Sequence, residues 1–490
     1  MFGAGVGLWL ALALIKFGNP IIFEQQILPP STPSEAQAGA WPPIWGFCLS
    51  EVLVLVGLWG SWGESRRSWW LLGALTVGLA GHWFFLSPQI LLWDLGLVAL
   101  ALLVWSCWRR PAGLPRWLMF APLVWLGWQV ASALIGLEQI TQEGARRILL
   151  ITLVHFTICV LIFFFGASIV DQRRTGDKHV EPRPETFRLF WLALAGGFLV
   201  VLAIGWRQHF GGLEETRVWF FKLPDWRSYP PEFIQKLSSD RISGTLFYPN
   251  TLAGAILLLL PALLARLWTS SMAPLMRRAA VMGVATLALG ALYWSGSKAG
   301  WLILLVQGAA AIFCLSRAGR TRSLVLLGIL VLGLVGFGLR YRSYLESGAK
   351  SLSARFDYWE AAWKGLQLRP VWGSGPGTFA TTYRQLKRPE SEMARLTHND
   401  FLQQGSDSGW VGMLSYGVWL LGGLGALAVR LRPKERLGEF GTWIGLAGLS
   451  LQALLEFWLY IPAIAWTAFF LLGLGFASGN RRPEHCLNGT

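Results

Sequence analysis

The residues best suited to chemistry lie near the end of the longest polar interval in the chain, Arg340 to Gly412. His398 and Asn399 begin an amphipathic stretch there, and Asp407 follows just before the next apolar stretch. Histidine is the side chain best suited to proton transfer near neutral pH. We therefore take His398 as a candidate acid–base group. The alternative is a histidine that only supports the loop.

Three basic residues are candidates for binding an anion. Arg241 ends another polar stretch, Lys298 stands between two apolar stretches, and Arg355 lies early in the long interval. Arginine can hold phosphate through two parallel N–H bonds, whereas lysine offers a point charge. The alternatives are a Lys298 that extends to the membrane interface and an Arg355 that pairs with a neighbouring carboxylate.

Short helices and turns must position these residues. Apolar residues recur at spacings of three and four across 351–367, which predicts an amphipathic helix on or near a membrane surface, ended by Pro370. Gly373 to Gly377 then predicts a turn, either a plain connection or a backbone that binds phosphate. Asn399 is placed to cap the helix that follows His398.

The composition predicts an all-α polytopic membrane protein. Of 490 residues, 54% are hydrophobic and 14% are charged, with a mean hydropathy of +0.47, whereas soluble domains carry roughly 25% charged residues. Apolar runs of about 20 residues indicate helices that cross the bilayer. We expect about 14 spans, at 2–23, 42–62, 68–87, 89–108, 117–136, 148–170, 188–206, 246–268, 279–297, 299–316, 323–339, 410–429, 437–457 and 460–478.

The charge distribution predicts the orientation. The net charge is +15; one set of short loops, with the C-terminal tail, carries 22 Lys and Arg residues, and the alternate set carries 3. This asymmetry predicts cytoplasmic N- and C-termini and two long periplasmic loops, 207–245 and 340–409. The charge is therefore a topology signal, and the lipid bilayer, not nucleic acid, is the expected partner. The cations of the long loops favour an anionic substrate or anionic lipid headgroups.

Neither a disulfide framework nor a metal or cofactor site is predicted. The five cysteines show no Cys-x-x-Cys or Cys/His metal spacing. The N-terminus lacks a basic region of the signal-peptide type, so the first span is expected to remain as an anchor.

Ionisable residues also occur within or at the ends of the expected spans. Such residues are costly in lipid and indicate function or pairing. An ion pair between Lys16 and Glu51 is one interpretation, and a proton or substrate path is the other. The residues concerned are Lys16, Glu51, Asp94, His155 and Glu456.

Four stretches, in this order, resemble the O-antigen ligase and O-antigen polymerase superfamily of integral membrane glycosyltransferases. They are Arg241–Gly254, Ser295–Trp301, Arg355–Phe379 and His398–Leu414. The last two carry the most specific patterns, Arg-x-x-x-Trp, Gly-x-Gly-x-x-x-Phe and His-Asn-x-x-Leu-Gln. The resemblance covers about residues 190–430. It divides the chain into N-terminal spans (1–187), a ligase-like core (188–430), and C-terminal spans with a cytoplasmic tail (431–490).

The resemblance implies that glycan is transferred from undecaprenyl diphosphate to a lipid A-core or similar acceptor, on the periplasmic face of a bacterial inner membrane, without metal or nucleotide. It implies a catalytic His398 and diphosphate ligands at Arg241 and Arg355. Lys298, Asn399 and Asp407 are the further substrate-binding candidates. Two departures stand out: the family's Ser-Arg-x-Gly has lysine at 298, and its usual Glu is Asp at 407.

Other activities share these features. A repeat-unit polymerase or a protein O-oligosaccharyltransferase would use the same donor with a different acceptor. From another class, a transporter or flippase for lipid-linked sugars would place function in Glu51, Asp94 and His155, at membrane depth.

Overall fold

The computed structural model describes residues 2–27, 29–50, 113–168, 184–224, 226–228, 234, 237–316, 319–342 and 350–478. Within these residues the regular elements are helices, and no strand occurs among them. The expected spans 68–87 and 89–108, and most of 42–62, lie outside the described residues. Where the chain is described, the prediction of an all-helical protein is confirmed.

Short connections join many of the helices. The α-helices named below, all in the described parts of the chain, are α1 (Phe2–Lys16), α2 (Pro33–Ala38), α3 (Arg116–Gln139), α4 (Glu143–Ser168), α5 (Pro184–Arg207), α6 (Leu213–Phe221), α7 (Pro249–Trp268), α8 (Pro274–Ser295), α9 (Lys298–Leu315), α10 (Arg320–Arg340), α11 (Lys350–Leu368), α12 (Phe379–Leu386), α13 (Asp400–Gly417), α14 (Gly423–Ala428), α15 (Leu437–Gln452) and α16 (Pro462–Ser478).

Eight helices in the described residues are long and apolar enough to cross a membrane, by length and composition. They overlap the expected spans between 117 and 429, and the total of fourteen stays a prediction. The first span is shorter than expected, because α1 ends at Lys16. The Lys16 ammonium donates to the carbonyls of Ala36, Gln37 and Gly39, at 2.9, 2.6 and 3.1 Å. Its proposed partner Glu51 lies outside the described residues.

Helices α7 and α15 flank the candidate active site described below, and they pack very closely against each other. A Cβ added at Gly445 would lie 2.0 Å from the Leu258 carbonyl oxygen, so only glycine permits this approach. Gln307 of α9 joins both helices by donating to the carbonyls of Leu257 and Ile444, at 3.0 and 2.8 Å. The two helices and α9 therefore form one fixed support.

Helix α13 is broken in its middle. Ser408 and Gly409 have non-helical backbone angles, with φ of +69° at Gly409. At the break, backbone groups of α13 bond to the loop that follows α11 instead of to their own helix. The Ser406 carbonyl accepts from Ser374 N at 3.1 Å, and Trp410 N donates to the Pro370 carbonyl at 2.8 Å. Protein groups thus satisfy the irregular backbone, as is required inside a bilayer.

Helix α11 confirms the helix predicted over 351–367. Tyr358 and Ala362 on this helix are buried against the rest of the long interval. The predicted apolar stripe is divided: Leu366 is buried and Trp359 partly buried, whereas Leu352, Phe356 and Trp363 are exposed. The helix is therefore apolar on two faces, one of which packs on protein. The other is available to a membrane surface.

Candidate active site

The site is built around Glu456, a buried carboxylate in the connection between α15 and α16. Its Oε1 accepts hydrogen bonds from Asn250 Nδ2 and Arg355 Nη2, each at 2.5 Å. Its Oε2 lies 3.1 Å from His398 Nδ1. Asn250 is in the first turn of α7, Arg355 is on α11, and His398 precedes α13. A single carboxylate therefore joins four separate segments of the chain.

The partners of Glu456 determine its ionisation. Burial raises the pKa of Glu456, but the hydrogen bond with His398 and the charge of Arg355 outweigh burial and hold the pKa below its usual value. The carboxylate is thus ionised at neutral pH, and Nδ1 of His398 is placed to donate a hydrogen bond to it. In a neutral imidazole this bond assigns the proton to Nδ1. It leaves Nε2 able to accept a proton, on a side chain that is 27% exposed.

Arg241 extends the cluster on the other side of Asn250. Its Nη2 donates to Asn250 Oδ1 at 2.9 Å, and its Nε donates to the Ser295 carbonyl at 2.7 Å. The turn at Gly296, where φ is +61°, lies directly beneath the guanidinium, and a Cβ there would be 3.2 Å from Nε. Two bonds orient the planar group, and three further N–H donors remain for a ligand.

Two cations stand over tyrosine rings at the edge of this cluster. Lys298 Nζ lies 5.1 Å from the centroid of the Tyr341 ring. The Arg340 guanidinium carbon lies 4.7 Å from the centroid of the Tyr293 ring. Each aromatic ring stabilises the cation that lies over it, which favours two cations in one region.

The charge balance of the cluster is positive. Arg241, Arg340 and Arg355 all lie close enough to Lys298 to repel its charge. Arg241 and Arg355 lie close to Glu456, and the buried Asp400 lies within range of the same carboxylate, so four cations stand against two carboxyl groups among the described residues. Such an excess suits an anionic ligand.

His398 has a left-handed backbone conformation, with φ of +53°, and is the one non-glycine residue with positive φ in the described residues. Its neighbours fix this conformation: Thr397 N donates to Gln403 Oε1 at 2.8 Å, and Thr397 Oγ1 donates to the Asn399 carbonyl at 2.7 Å. A strained conformation of this kind costs about 1–3 kcal/mol and persists only where the surroundings impose it. The histidine is therefore rigidly presented.

Asn399 and Asp407 contact protein atoms. Asn399 Oδ1 accepts from Leu402 N at 3.0 Å, which confirms the predicted N-cap of α13. Asp407 is fully buried, and its Oδ2 accepts from Gly377 N, Gln403 Nε2 and Tyr460 Oη, at 2.8, 2.9 and 2.9 Å. Both side chains therefore hold the segments that flank His398, and their predicted contact with substrate stays a prediction.

The glycine turn is a structural connection. Ser374 N and Gly375 N donate to the carbonyls of Ser406 and Asp407, at 3.1 and 2.8 Å, and Gly377 N donates to the Asp407 carboxylate. These amides already have protein acceptors. Of the two interpretations of this turn, the plain connection agrees with the geometry.

His155 of α4 contacts the connection between α15 and α16, the same connection that carries Glu456. It is fully buried, its Nε2 lies 2.7 Å from the Leu459 carbonyl oxygen, and its ring contacts Phe47, Phe156 and Trp466. Glu51 and Asp94, the other residues of the transporter interpretation, lie outside the described residues. In the described part of the chain, no group of three or more His, Cys, Asp and Glu side chains is placed to hold a metal ion.

The sequence alone did not identify Glu456 and Asn250 as members of the cluster. Glu456 stands out only as an ionisable residue near the end of an apolar stretch, and Asn250 only as a polar residue at the start of one. Their contacts join residues 101 and 206 positions apart. Such pairings follow from helix packing, which hydropathy does not specify.

The fold and the cluster define a class of protein: a helical integral membrane protein whose candidate active site joins arginines, a histidine and a buried glutamate. Residues 283–417 match a family model described as O-antigen ligase. This match supports the resemblance to the O-antigen ligase superfamily that the sequence patterns indicated, and members of that superfamily are glycosyl-transferring membrane enzymes. The matched stretch contains Lys298, Arg355 and His398, whereas Arg241 and Glu456 lie outside it.

A protein of Haemophilus influenzae (strain ATCC 51907 / DSM 11121 / KW20 / Rd), described as an uncharacterized protein, is similar to part of the chain. The two are 28% identical over 145 residues, which is 25% of this chain and 36% of that protein. The chain therefore spans little more than a third of the length of this relative.

Proposed function

We propose that this protein is a glycosyltransferase of the O-antigen ligase type. It transfers a glycan from undecaprenyl diphosphate to an acceptor hydroxyl, such as that of lipid A-core, on the periplasmic face of a bacterial inner membrane. The observation that carries the proposal is the arrangement of Arg241, Arg355 and His398 around Asn250 and Glu456. This arrangement supplies an anion site and a base within one cluster.

The arginines bind the diphosphate of the donor. Arg241 and Arg355 are each oriented by hydrogen bonds, so their remaining N–H groups are prepared for phosphate oxygens. Lys298 adds a cation close to both. When the bond between the anomeric carbon and the diphosphate oxygen breaks, the electron pair leaves with the diphosphate, and these cations stabilise the charge that develops there.

His398 acts on the acceptor. The acceptor oxygen forms the new bond to the anomeric carbon, and its proton passes to Nε2 of His398. Glu456 keeps Nδ1 protonated and stabilises the imidazolium that results, as the aspartate does in a serine-protease triad. Proton transfer and loss of the diphosphate are thus assigned to different residues of one network.

Asn399 and Asp407 support this chemistry. Asn399 caps α13 directly after His398, and Asp407 ties the glycine turn to the same helix. We assign both a positioning role. Direct contact with the donor, expected from the resemblance, would require Asp407 to become exposed during the reaction.

A reconstituted assay tests the assignment. The purified protein in liposomes receives a defined undecaprenyl-diphosphate-linked glycan and an acceptor lipid, and product is measured with donor binding. His398→Ala is expected to lower turnover by about 10² to 10⁴ while donor binding persists. Arg355→Ala is expected to weaken donor binding. A folded His398→Ala variant with full turnover would refute the role of the histidine.

The acceptor separates the ligase from the polymerase and the oligosaccharyltransferase. In cells that lack this gene, a ligase or oligosaccharyltransferase leaves full-length polymer on the carrier and none on the final acceptor. Loss of a polymerase instead sends single repeat units to the acceptor. No change in either pool would count against the whole family assignment and reopen the transporter alternative.

A further inference from the structure

A large cavity lies at the end of the helix bundle opposite the candidate active site. Its volume is about 1070 Å³, and helices α5, α7, α8, α15 and α16 contribute to its walls. Helix α7 relates the two sites: Asn250 is in its first turn, and Arg266, which lines the cavity, is in its last. Sixteen residues of α-helix separate them by about 24 Å. The cavity is therefore distinct from the cluster around Glu456.

The walls of the cavity are largely apolar. They include Trp191 of α5, Leu263 of α7, Leu287 of α8, and Trp443 and Leu446 of α15. Sites for small molecules typically measure about 300–1,000 Å³, so this one has room for a ligand at or above that limit. Apolar walls between membrane helices suit acyl chains better than a water-soluble molecule.

Arginines surround the polar end of this cavity. Arg188, Arg266, Arg430 and Arg436 line it, against two carboxylates. One of those, Glu439, already accepts from Arg436 at 3.4 Å, and the other, Glu435, accepts from Arg432 at 3.3 Å. The lining therefore carries an excess of positive charge.

Arg266 is held rigidly between the apolar wall and this polar end. Its guanidinium carbon lies 3.4 Å from the centroid of the Trp191 ring, and its Nη1 donates to the carbonyls of Ala262 and Gly438, at 3.1 and 2.6 Å. A guanidinium fixed in this way presents its remaining N–H groups in a constant direction, which suits a phosphate oxygen.

We propose that this cavity binds an acidic glycerophospholipid. The acyl chains lie against Trp191, Leu287 and Trp443, and the phosphate lies among Arg188, Arg266 and Arg436. Basic pockets between membrane helices bind lipid headgroups in this manner. The ligand comes from the leaflet next to the loops that follow α7 and α14. The charge rule assigns those loops to the cytoplasmic side, the leaflet opposite the proposed donor.

Native mass spectrometry tests this proposal on the full-length protein. The protein is released from micelles that contain equal amounts of phosphatidylglycerol and phosphatidylethanolamine. Phosphatidylglycerol is expected to remain bound in several-fold excess. Arg188→Gln combined with Arg436→Gln is expected to reduce its retention about fivefold for each arginine removed. The matched control combines Arg320→Gln with Arg322→Gln, which removes two arginines of α10 that are outside the cavity, and is expected to keep the retention unchanged.

Two further experiments test the apolar part of the cavity and the source of the phosphate. Leu287→Trp fills the cavity without altering its charge and is expected to lower phosphatidylglycerol retention in protein that has a normal thermal transition. Millimolar glycerol 3-phosphate is expected to leave the bound lipid in place. Equal retention of the two lipids, an equal loss in the α10 control, or displacement by glycerol 3-phosphate would each overturn the proposal.

Discussion

Glu456 Oε2 lies 3.1 Å from His398 Nδ1, although the two residues are 58 positions apart in the chain. The same carboxylate accepts from Arg355 through its other oxygen. The contact therefore links the expected proton acceptor to an expected diphosphate ligand. A change at the glutamate should affect both halves of the proposed reaction, whereas a change at the histidine should affect one.

Replacing Glu456 by Gln should lower turnover by about 10² or more. The amide cannot stabilise the imidazolium, and it no longer requires the tautomer with a free Nε2. Measured kcat should fall more than donor affinity, because Gln can still accept a bond from Arg355.

The matched control for this variant is Glu24→Gln. Glu24 is also buried and also accepts from an arginine, Arg147, at 2.7 Å, but it lies outside the cluster. Its replacement should alter stability and leave kcat unchanged. Equal effects of the two variants on kcat would refute a specific role for Glu456.

Arg241→Lys should weaken donor binding by about tenfold or more, although the charge is retained. The arginine makes two bonds at once, to the Ser295 carbonyl and to Asn250, and lysine has no planar fork that can do so while also binding phosphate. Binding of the lipid-linked donor to the purified variant measures the effect. Arg207→Lys is the control, because Arg207 is exposed and pairs only with Glu215 among the described residues. Wild-type affinity in Arg241→Lys would contradict the bidentate role.

The stability of the protein should depend on the ionisation of Glu456. The folded pKa lies below the ordinary value of 4.5, so the stabilisation is present above that value and is lost as pH falls through the folded pKa. The difference in Tm between wild type and Glu456→Gln should be larger above about pH 4.5 than at lower pH, where the carboxyl becomes protonated. A difference that instead grows as pH falls would mean that the carboxyl is protonated in the folded protein.

Gly373→Ala should destabilise the fold by more than about 1 kcal/mol. Gly373 has φ of +65°, and an added Cβ would lie 2.3 Å from the backbone carbon of Asp407. The expected result is a lower Tm, since the turn would separate from the break in α13. Gly336→Ala in α10 is the control: a Cβ there meets nothing within 4 Å, and alanine favours helix. An unchanged Tm in Gly373→Ala would show that the turn can move freely.

The helices could be predicted from the sequence because their driving force is local. A run such as 246–268 is apolar over most of its length, and Pro249 and Trp268 bound the helix observed there. The cap at Asn399 could be predicted for the same reason, since a cap depends on residues within one turn. The left-handed conformation of His398 could not, because it is imposed by Gln403 and by the packing of the long interval.

The composition of the cluster could be predicted only in part. Residue type and pattern single out Arg241, Arg355 and His398 as candidates. The structure brings Arg355 and His398 to one carboxylate, and Arg241 is linked to it through Asn250. That carboxylate stood among five ionisable residues near or within apolar stretches, and nothing in the sequence separates Glu456 from His155. Burial of Asp407 was equally hidden, because its partners Gly377 and Tyr460 are distant in the chain.

Helix α10 has no buried residue along its 21 positions, yet it ends next to Tyr341, whose ring lies beneath Lys298. The depth of this helix is therefore set more by the surrounding lipid than by neighbouring protein. Bilayers that are thinner or thicker than its apolar length should tilt or displace it through hydrophobic mismatch. One wall of the anion site would then move with the acyl length of the membrane, and donor affinity should pass through an optimum as that length is varied.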